Sequence, residues 1–366
     1  MSLTFTGERS LGDLSQRRSR IGLVIGSGGI KCAMAIGLLK VLVHEGIPID
    51  VAVGCSGGAI YAGLYALGDN VRDMEARSLV VWRDLFTKLH YRSLARAIAP
   101  AFFGYHEQVG LVDDRRVWRV LESQFGMRTF ADCRIPFFVA ATDYRTGEKV
   151  TLSEGKVIDA VRASIAIPLL LRAWPVQDRL LVDGGASNPL PIDIAIMEGC
   201  DIILAMGFES HMTADVGSFT QAVGRTSTII TNHLLRATFA FYSAAHHAEV
   251  LPIVPLLDRD VGITEWEQIP YLIEQGEKAA YEQIPYLRRL LASQGAEPPV
   301  VEPMRQVVSA EVLATPFSAT AAPPLTAAPA SPSASAGASP AASPPASPAA
   351  SPPASPAASP PASPPA

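Results

Sequence analysis

From Val51 to Gly68 the chain reads VAVGCSGGAIYAGLYALG, without one charged side chain. A run of that length raises the reading of a membrane-spanning helix. Its glycines argue otherwise: Gly54, Gly57, Gly58, Gly63 and Gly68 interrupt it, and its character changes at the Gly-Ser-Gly turn. Two shorter elements fit better, a buried strand over residues 49–53 and a buried helix over residues 57–67. A strand feeding a helix, both apolar all round, needs a fold that covers a sheet on both faces.

The surrounding segments agree. Residues 21–25 (IGLVI) predict a strand ending in glycine, and residues 31–44 a core helix with Met34, Ile36, Leu38, Leu39, Leu42 and Val43. Further strands are predicted over 136–142, 149–152, 180–182 and 202–206, the second of them in a hairpin or at an edge after the Thr146-Gly147 turn. Long helices are predicted over 226–249, before Pro252 and Pro255, and over 266–293. Strands alternating with helices imply an α/β fold with a mostly parallel sheet between helices.

The expected organisation is a flexible polar arm over 1–18, a folded domain over 19–295, a linker over 296–317 and a disordered tail over 318–366. The tail is Ala, Pro and Ser, with Ser-Pro-Ala-Ala-Ser-Pro-Pro-Ala from Ser339 to Ala346, and no charged residue follows Glu311. Without large apolar side chains such a segment cannot offset its ordering entropy. Pro345 and Pro348 form a P-x-x-P, which reads as an inert spacer or a docking site of unknown partner. Residues 83–119 mix Arg92, Arg96 and His106 with Phe86, Phe102, Phe103 and Tyr105, which suits an interfacial lid or an ordinary amphipathic insertion.

Composition excludes some functions. The formal charge of −5 gives no basic footprint for nucleic acid. Cys32, Cys55, Cys133 and Cys200 form no C-x-x-C pair and no zinc-ligand spacing, so reduced thiols and no metal are expected. The first 20 residues carry arginines but no apolar core of a secretory signal, which together with reduced thiols points to a cytoplasmic protein.

Ser56 lies in Gly54-Cys55-Ser56-Gly57-Gly58, which fits G-x-S-x-G between a strand and a helix. That context suits a nucleophile elbow, with the hydroxyl held at a helix N-terminus. It equally suits a plain tight turn. A catalytic serine also needs a base and oxyanion donors. The donors are sought in Gly26-Ser27-Gly28-Gly29-Ile30-Lys31, whose amides can point at an anion. The loop is not a Walker A, because Ile30 precedes Lys31 and Cys32 follows it. As a dinucleotide loop it has Lys31 where the last glycine belongs. For the base, Asp183 and His246 or His247 follow Ser56 in the chain order of an α/β-hydrolase triad, but only one strand precedes the elbow. Asp183 alone, at the end of Leu180-Leu181-Val182 and before Gly184-Gly185, is a carboxylate that apolar surroundings would make more basic, or simply an Asp-Gly turn.

In order, GSGGIK, GCSGG and DGG resemble the motifs of the patatin-like phospholipase family, in particular its compact bacterial members. The resemblance continues through Thr146-Gly147-Glu148, Val150-Thr151-Leu152, Ala163-Ser164-Ile165-Ala166-Ile167-Pro168 and Val182-Asp183-Gly184-Gly185 with Asn188 and Pro189. It implies a three-layer α/β/α fold and hydrolysis of a lipid acyl ester by a serine–aspartate dyad, without histidine, metal or cofactor. Carried over, Ser56 is the nucleophile and Asp183 the base. Gly28 and Gly29 lend the oxyanion N–H groups. Gly26, Lys31, Gly54, Gly58, Gly184 and Gly185 support the motifs. Cys32 departs from the resemblance, at a position that is usually glycine in the family. The implied partner is a lipid or other acyl ester, with peripheral membrane contact. A neutral lipid or polyester substrate, and a non-catalytic interaction role on the same scaffold, stay open.

Overall fold

A computed structural model describes residues 18–86, 112–168, 170–210 and 219–292. Residues 1–17 of the expected arm, residues 87–111 of the proposed insertion, the linker and the tail with its P-x-x-P lie outside the described residues.

The apolar runs become strands of one sheet. These are β1 (Ile21–Ile25), β2 (Val51–Cys55), β3 (Phe137–Asp143), β4 (Lys149–Leu152), β5 (Trp174–Val176), β6 (Arg179–Asp183), β7 (Ile202–Met206) and β8 (Glu249–Ile253). The order is β5-β6-β3-β2-β1-β7-β8, with β4 paired to β3. Strands β3, β2, β1, β7 and β8 are mutually parallel, whereas β4, β5 and β6 join antiparallel. The sheet is thus mixed, its antiparallel part confined to the β3 side.

Helices cover both faces. Ile21, Leu23 and Ile25 of β1 and Ala52 of β2 point into a large core with α1 (Met34–His44), α2 (Gly57–Ala66), α3 (Val71–Phe86), α4 (Asp114–Phe125), α5 (Val157–Ser164) and α8 (Ile269–Ala292). Val24, Val51, Val53 and Cys55 point the other way, against α6 (Ile192–Met197) and Leu235 of α7 (Phe219–Ala245). Adjacent strand residues therefore serve different cores, and both cores are apolar, which explains runs with no polar alternation. This is the three-layer α/β/α arrangement expected.

Several expectations need correction. The long helix expected over 226–249 begins at Phe219 and ends at Ala245, and Glu249 opens β8. Pro252 disguises that strand. Strand β8 is the last in the order, and proline is tolerated on an edge. The C-terminal helix starts at Ile269, after a 3₁₀ turn over Trp266–Gln268. Residues up to Phe86 and from Asp114 are helical, so the expected irregular stretch is narrower at both ends.

Helices α1 and α8 cross at glycines on both sides. A Cβ on Gly37 would collide with the backbone of Ile273 and Glu277, and one on Gly276 with the backbone of Met34. This crossing holds α1 against the sheet directly after the Gly26–Lys31 loop. Overpacking a rigid backbone contact typically costs ~1–3 kcal/mol. Gly37→Ala and Gly276→Ala are each expected to lower stability by at least that amount in thermal melts, although alanine is the better helix former at both positions.

Candidate active site

Strand register brings Ser56 and Asp183 together. Strand β2 runs parallel to β3 and pairs Cys55 with Ala140. Strand β6 runs antiparallel to β3 and pairs Asp183 with Ala141. The C-terminal ends of β2 and β6 therefore meet at neighbouring residues of β3. Ser56 follows Cys55 as the N-cap of α2.

The backbone at Ser56 has φ 55° and ψ −130°, a left-handed φ that L side chains rarely adopt. Such a conformation turns the chain sharply from β2 into α2. Close packing leaves no alternative: a Cβ on Gly58 would strike the carbonyls of Ile25 and Gly26, and one on Gly54 the backbone of Ala59. The two glycines let the elbow lie directly against the end of β1.

Ser56 Oγ donates to Asp183 Oδ2 at 2.6 Å. The other carboxylate oxygen accepts the Gly185 N–H at 2.7 Å, which fixes the carboxylate plane. Thr142 Oγ1 donates to the Asp183 carbonyl at 3.0 Å. Both residues are buried, Ser56 at 4% and Asp183 at 6% exposure. Burial pushes the Asp183 carboxyl up to about 6, and the hydrogen bonds from Ser56 and Gly185 hold it from rising further. It is thus a better base than an exposed aspartate and still largely ionised at neutral pH.

The glycine loop borders the same place. Ser27 N–H donates to the Pro189 carbonyl at 2.7 Å, and Gly26 N–H to the Met206 carbonyl at 2.9 Å. These bonds pin the loop to β7 and to the segment after the Asp-Gly-Gly turn. Gly29 has φ +55°, and a Cβ on Gly28 would lie 2.6 Å from the Phe208 ring. A Cβ on Gly184 would strike the Ala140 carbonyl, and one on Gly185 would lie 2.9 Å from Ser27 Oγ. Lys31 is buried; its Nζ donates to Ser210 Oγ at 2.8 Å and lies 3.5 Å from Asp260. It ties the loop to the segments after β7 and β8. Burial lowers its pKa, with Asp260 opposing. Cys32 is buried and donates to the Gly26 carbonyl at 3.4 Å. It fills space under the loop.

The histidines are elsewhere. His246 and His247 precede β8, at the N-terminal end of the parallel strands, whereas Ser56 follows the C-terminal end of β2. His246 Nδ1 accepts the Ala248 N–H at 3.1 Å. The Ser-Asp-His order of an α/β-hydrolase is therefore a coincidence of sequence. A cleft of about 790 Å³ also lies at that far end, lined by Lys40, Tyr65, Asp69, Arg72, Arg134 and Tyr281, and it reaches neither Ser56 nor Asp183. Among the described residues no His, Cys, Asp and Glu side chains are grouped to hold a metal ion.

Ser164 belongs to this site although its motif gave it no role. Its Oγ accepts the Ser56 N–H at 2.8 Å and donates to the Ala140 carbonyl at 2.6 Å. The signal was a serine at the end of an apolar helix, where a buried hydroxyl needs partners.

Comparison with known proteins gives the chain its relatives. The model of the patatin-like phospholipase family matches residues 23–196. An uncharacterised NTE family protein of Mycobacterium tuberculosis is 26% identical over 226 residues, 62% of this chain and 58% of its own. The neuropathy target esterase of Drosophila melanogaster is 29% identical over 54% of this chain, which spans 14% of that protein. Among solved structures, VipD of Legionella pneumophila aligns with a TM-score of 0.39 and 13% identity, over 74% of this chain and 67% of its own. The chain thus spans little more than half of the mycobacterial relative and a small part of the insect one.

Asp183 also sets a pH dependence of stability. Its folded pKa of about 6 exceeds the ordinary 3.8 of an unfolded chain. A raised pKa favours the protonated fold. That contribution is complete below 3.8 and lost as pH rises through about 6. Asp183→Asn is therefore expected to be more stable than the parent at pH 8, by up to about 3 kcal/mol, and the gain should vanish near pH 4. Denaturant titrations at the two pH values measure it.

Proposed function

We propose that this chain, patatin-like over residues 23–196, hydrolyses lipid acyl esters in the manner of a phospholipase A or lysophospholipase. The observation that carries the reading is the 2.6 Å hydrogen bond between Ser56 Oγ and Asp183 Oδ2, residues 127 apart in sequence, both buried beside a glycine loop.

Asp183 Oδ2 takes the Ser56 proton as Oγ attacks the ester carbonyl. Charge develops on the carbonyl oxygen, and the N–H groups of Gly28 and Gly29 receive it. As the tetrahedral intermediate collapses, the Asp183 carboxylic acid returns the proton to the departing alcohol. An acyl group is left on Ser56. Asp183, ionised again, takes a proton from water as the water attacks the acyl carbonyl. The free acid leaves, and Ser56 recovers its proton. Only backbone N–H groups and one carboxylate are used, so the step needs no histidine.

An ester that must reach a buried serine is drawn from an aggregate or a bilayer surface, so peripheral membrane contact follows from the same reading. No described helix is long and apolar enough to cross a membrane.

Ser56→Ala is expected to abolish turnover of a chromogenic acyl ester and labelling by a fluorophosphonate, with an unchanged melt. Asp183→Asn should come close to it, and the loss of one oxyanion donor would be smaller, ~10²–10³-fold in kcat. In the parent, kcat/KM should fall as pH drops through about 6, because Asp183 then holds a proton and cannot accept another. A folded parent that neither turns over esters nor labels would indicate a non-catalytic protein on this scaffold. Lipid analysis of extracts treated with parent and Ser56→Ala protein identifies the substrate among phospholipids, lysophospholipids, neutral lipids and polyesters.

A further inference from the structure

One short segment touches both members of the dyad through their peptide N–H groups. Ser164 is the last residue of α5 and is fully buried. Its Oγ accepts from the Ser56 N–H at 2.8 Å. Two residues on, the Ala166 carbonyl accepts the Asp183 N–H at 3.0 Å. The same Ser164 hydroxyl donates its proton to the Ala140 carbonyl of β3, the residue paired with Cys55.

We propose that the turn over residues 164–166 is a clamp that sets the distance and direction between Ser56 and Asp183, with Ser164 as its positioning residue. The inference rests on the hydrolase reading for its effect on rate, but its geometry stands without that reading.

Three arguments support it. First, the Ser56 N–H sits at a sharp turn with left-handed φ, where helix hydrogen bonding does not reach it. Left unsatisfied in a buried site it would carry a desolvation penalty, and Ser164 removes it. Second, the bond fixes which way the Ser56 peptide faces, and hence where Cβ and Oγ point. It also commits this N–H, so oxyanion donors must come from elsewhere, such as the Gly28–Gly29 loop. Third, the clamp stands on a fixed support. Arg162, two residues earlier and fully buried, is paired with Asp114 of α4 and lies 4.8 Å over the Trp174 ring of β5.

Among the described residues, the titratable groups facing Asp183 are the Cys32 thiol, from the loop after β1, and the Cys55 thiol, at the end of β2; burial raises both. Their protonation is constant between pH 5 and 8, so the environment of Asp183 changes only through Ser56 and Gly185. Loss of the Ser56 hydrogen bond should move the Asp183 carboxyl up from about 6 by roughly one unit.

The test uses the full chain with Ser164→Ala, Ser164→Cys and Ser164→Thr. Alanine removes the hydroxyl, cysteine fills its volume with a poor acceptor, and threonine keeps it. Two readouts are taken. The first is the titration of Asp183, followed by its carboxyl carbon resonance, assigned by its loss in Asp183→Asn. The second is kcat and KM for a chromogenic acyl ester across pH. For Ser164→Ala and Ser164→Cys, we expect kcat to fall by roughly 10²-fold, KM to change less than about twofold, and both the Asp183 midpoint and the acid limb of kcat/KM to move up together. Threonine should recover most of each. Folded Ser164→Ala or Ser164→Cys protein with an unmoved Asp183 midpoint would overturn the clamp. A parent that cleaves no ester would count against the hydrolase reading, and the substrate-free titration would still decide the clamp.

Discussion

The hydrogen bond between Ser56 and Asp183 depends on where two strands stop. Strand β2 approaches along β3 from one direction and β6 from the other, and they end against Ala140 and Ala141. Antiparallel β6 delivers Asp183 opposite Ala141, one residue past the β3 position where β2 ends. Gly184 belongs to the same constraint, since a side chain there would strike the Ala140 carbonyl and push the strand ends apart.

Burial does opposite things to the two halves of the site. It makes Asp183 a stronger base by penalising its charge, and it destabilises the fold by the same amount at neutral pH. The surroundings limit that cost without cancelling it. Gly185 and Ser56 donate to the carboxylate, and among the described residues no cation offsets its burial. An arginine beside it would favour the anion and weaken the base. Lys31, the nearby cation of the glycine loop, is instead engaged with Ser210 and Asp260. Large apolar cores on both faces of the sheet supply the stability that lets one strained turn and one buried charge persist.

Much of this was visible in the sequence, because the site sits where apolar runs break. The loop from Gly26, the elbow at Ser56 and the Asp-Gly-Gly turn at Asp183 each end a strand, and glycine marks all three. What was hidden needs the third dimension. Nothing in Leu180-Leu181-Val182 tells that β6 is antiparallel. Pro252 concealed β8, an edge strand that can spare an N–H. Gly37 and Gly276 look like flaws in their helices until the crossing of α1 and α8 explains them. Ser164 stood in a quoted motif, but its role depends on partners 108 and 24 residues away. Conversely, His246 and His247 satisfied a chain order and failed on position, since a triad is a matter of geometry.

The central claim is that Ser56 carries the acyl group between the two halves of the reaction. Acid quenching during turnover of a slowly hydrolysed acyl ester, followed by mass spectrometry of proteolytic fragments, tests it most directly. The account predicts one acyl mass on the peptide containing Ser56, formed at pH 7 and formed more slowly at pH 5. Turnover with no adduct at Ser56, or with the adduct on another residue, would contradict it.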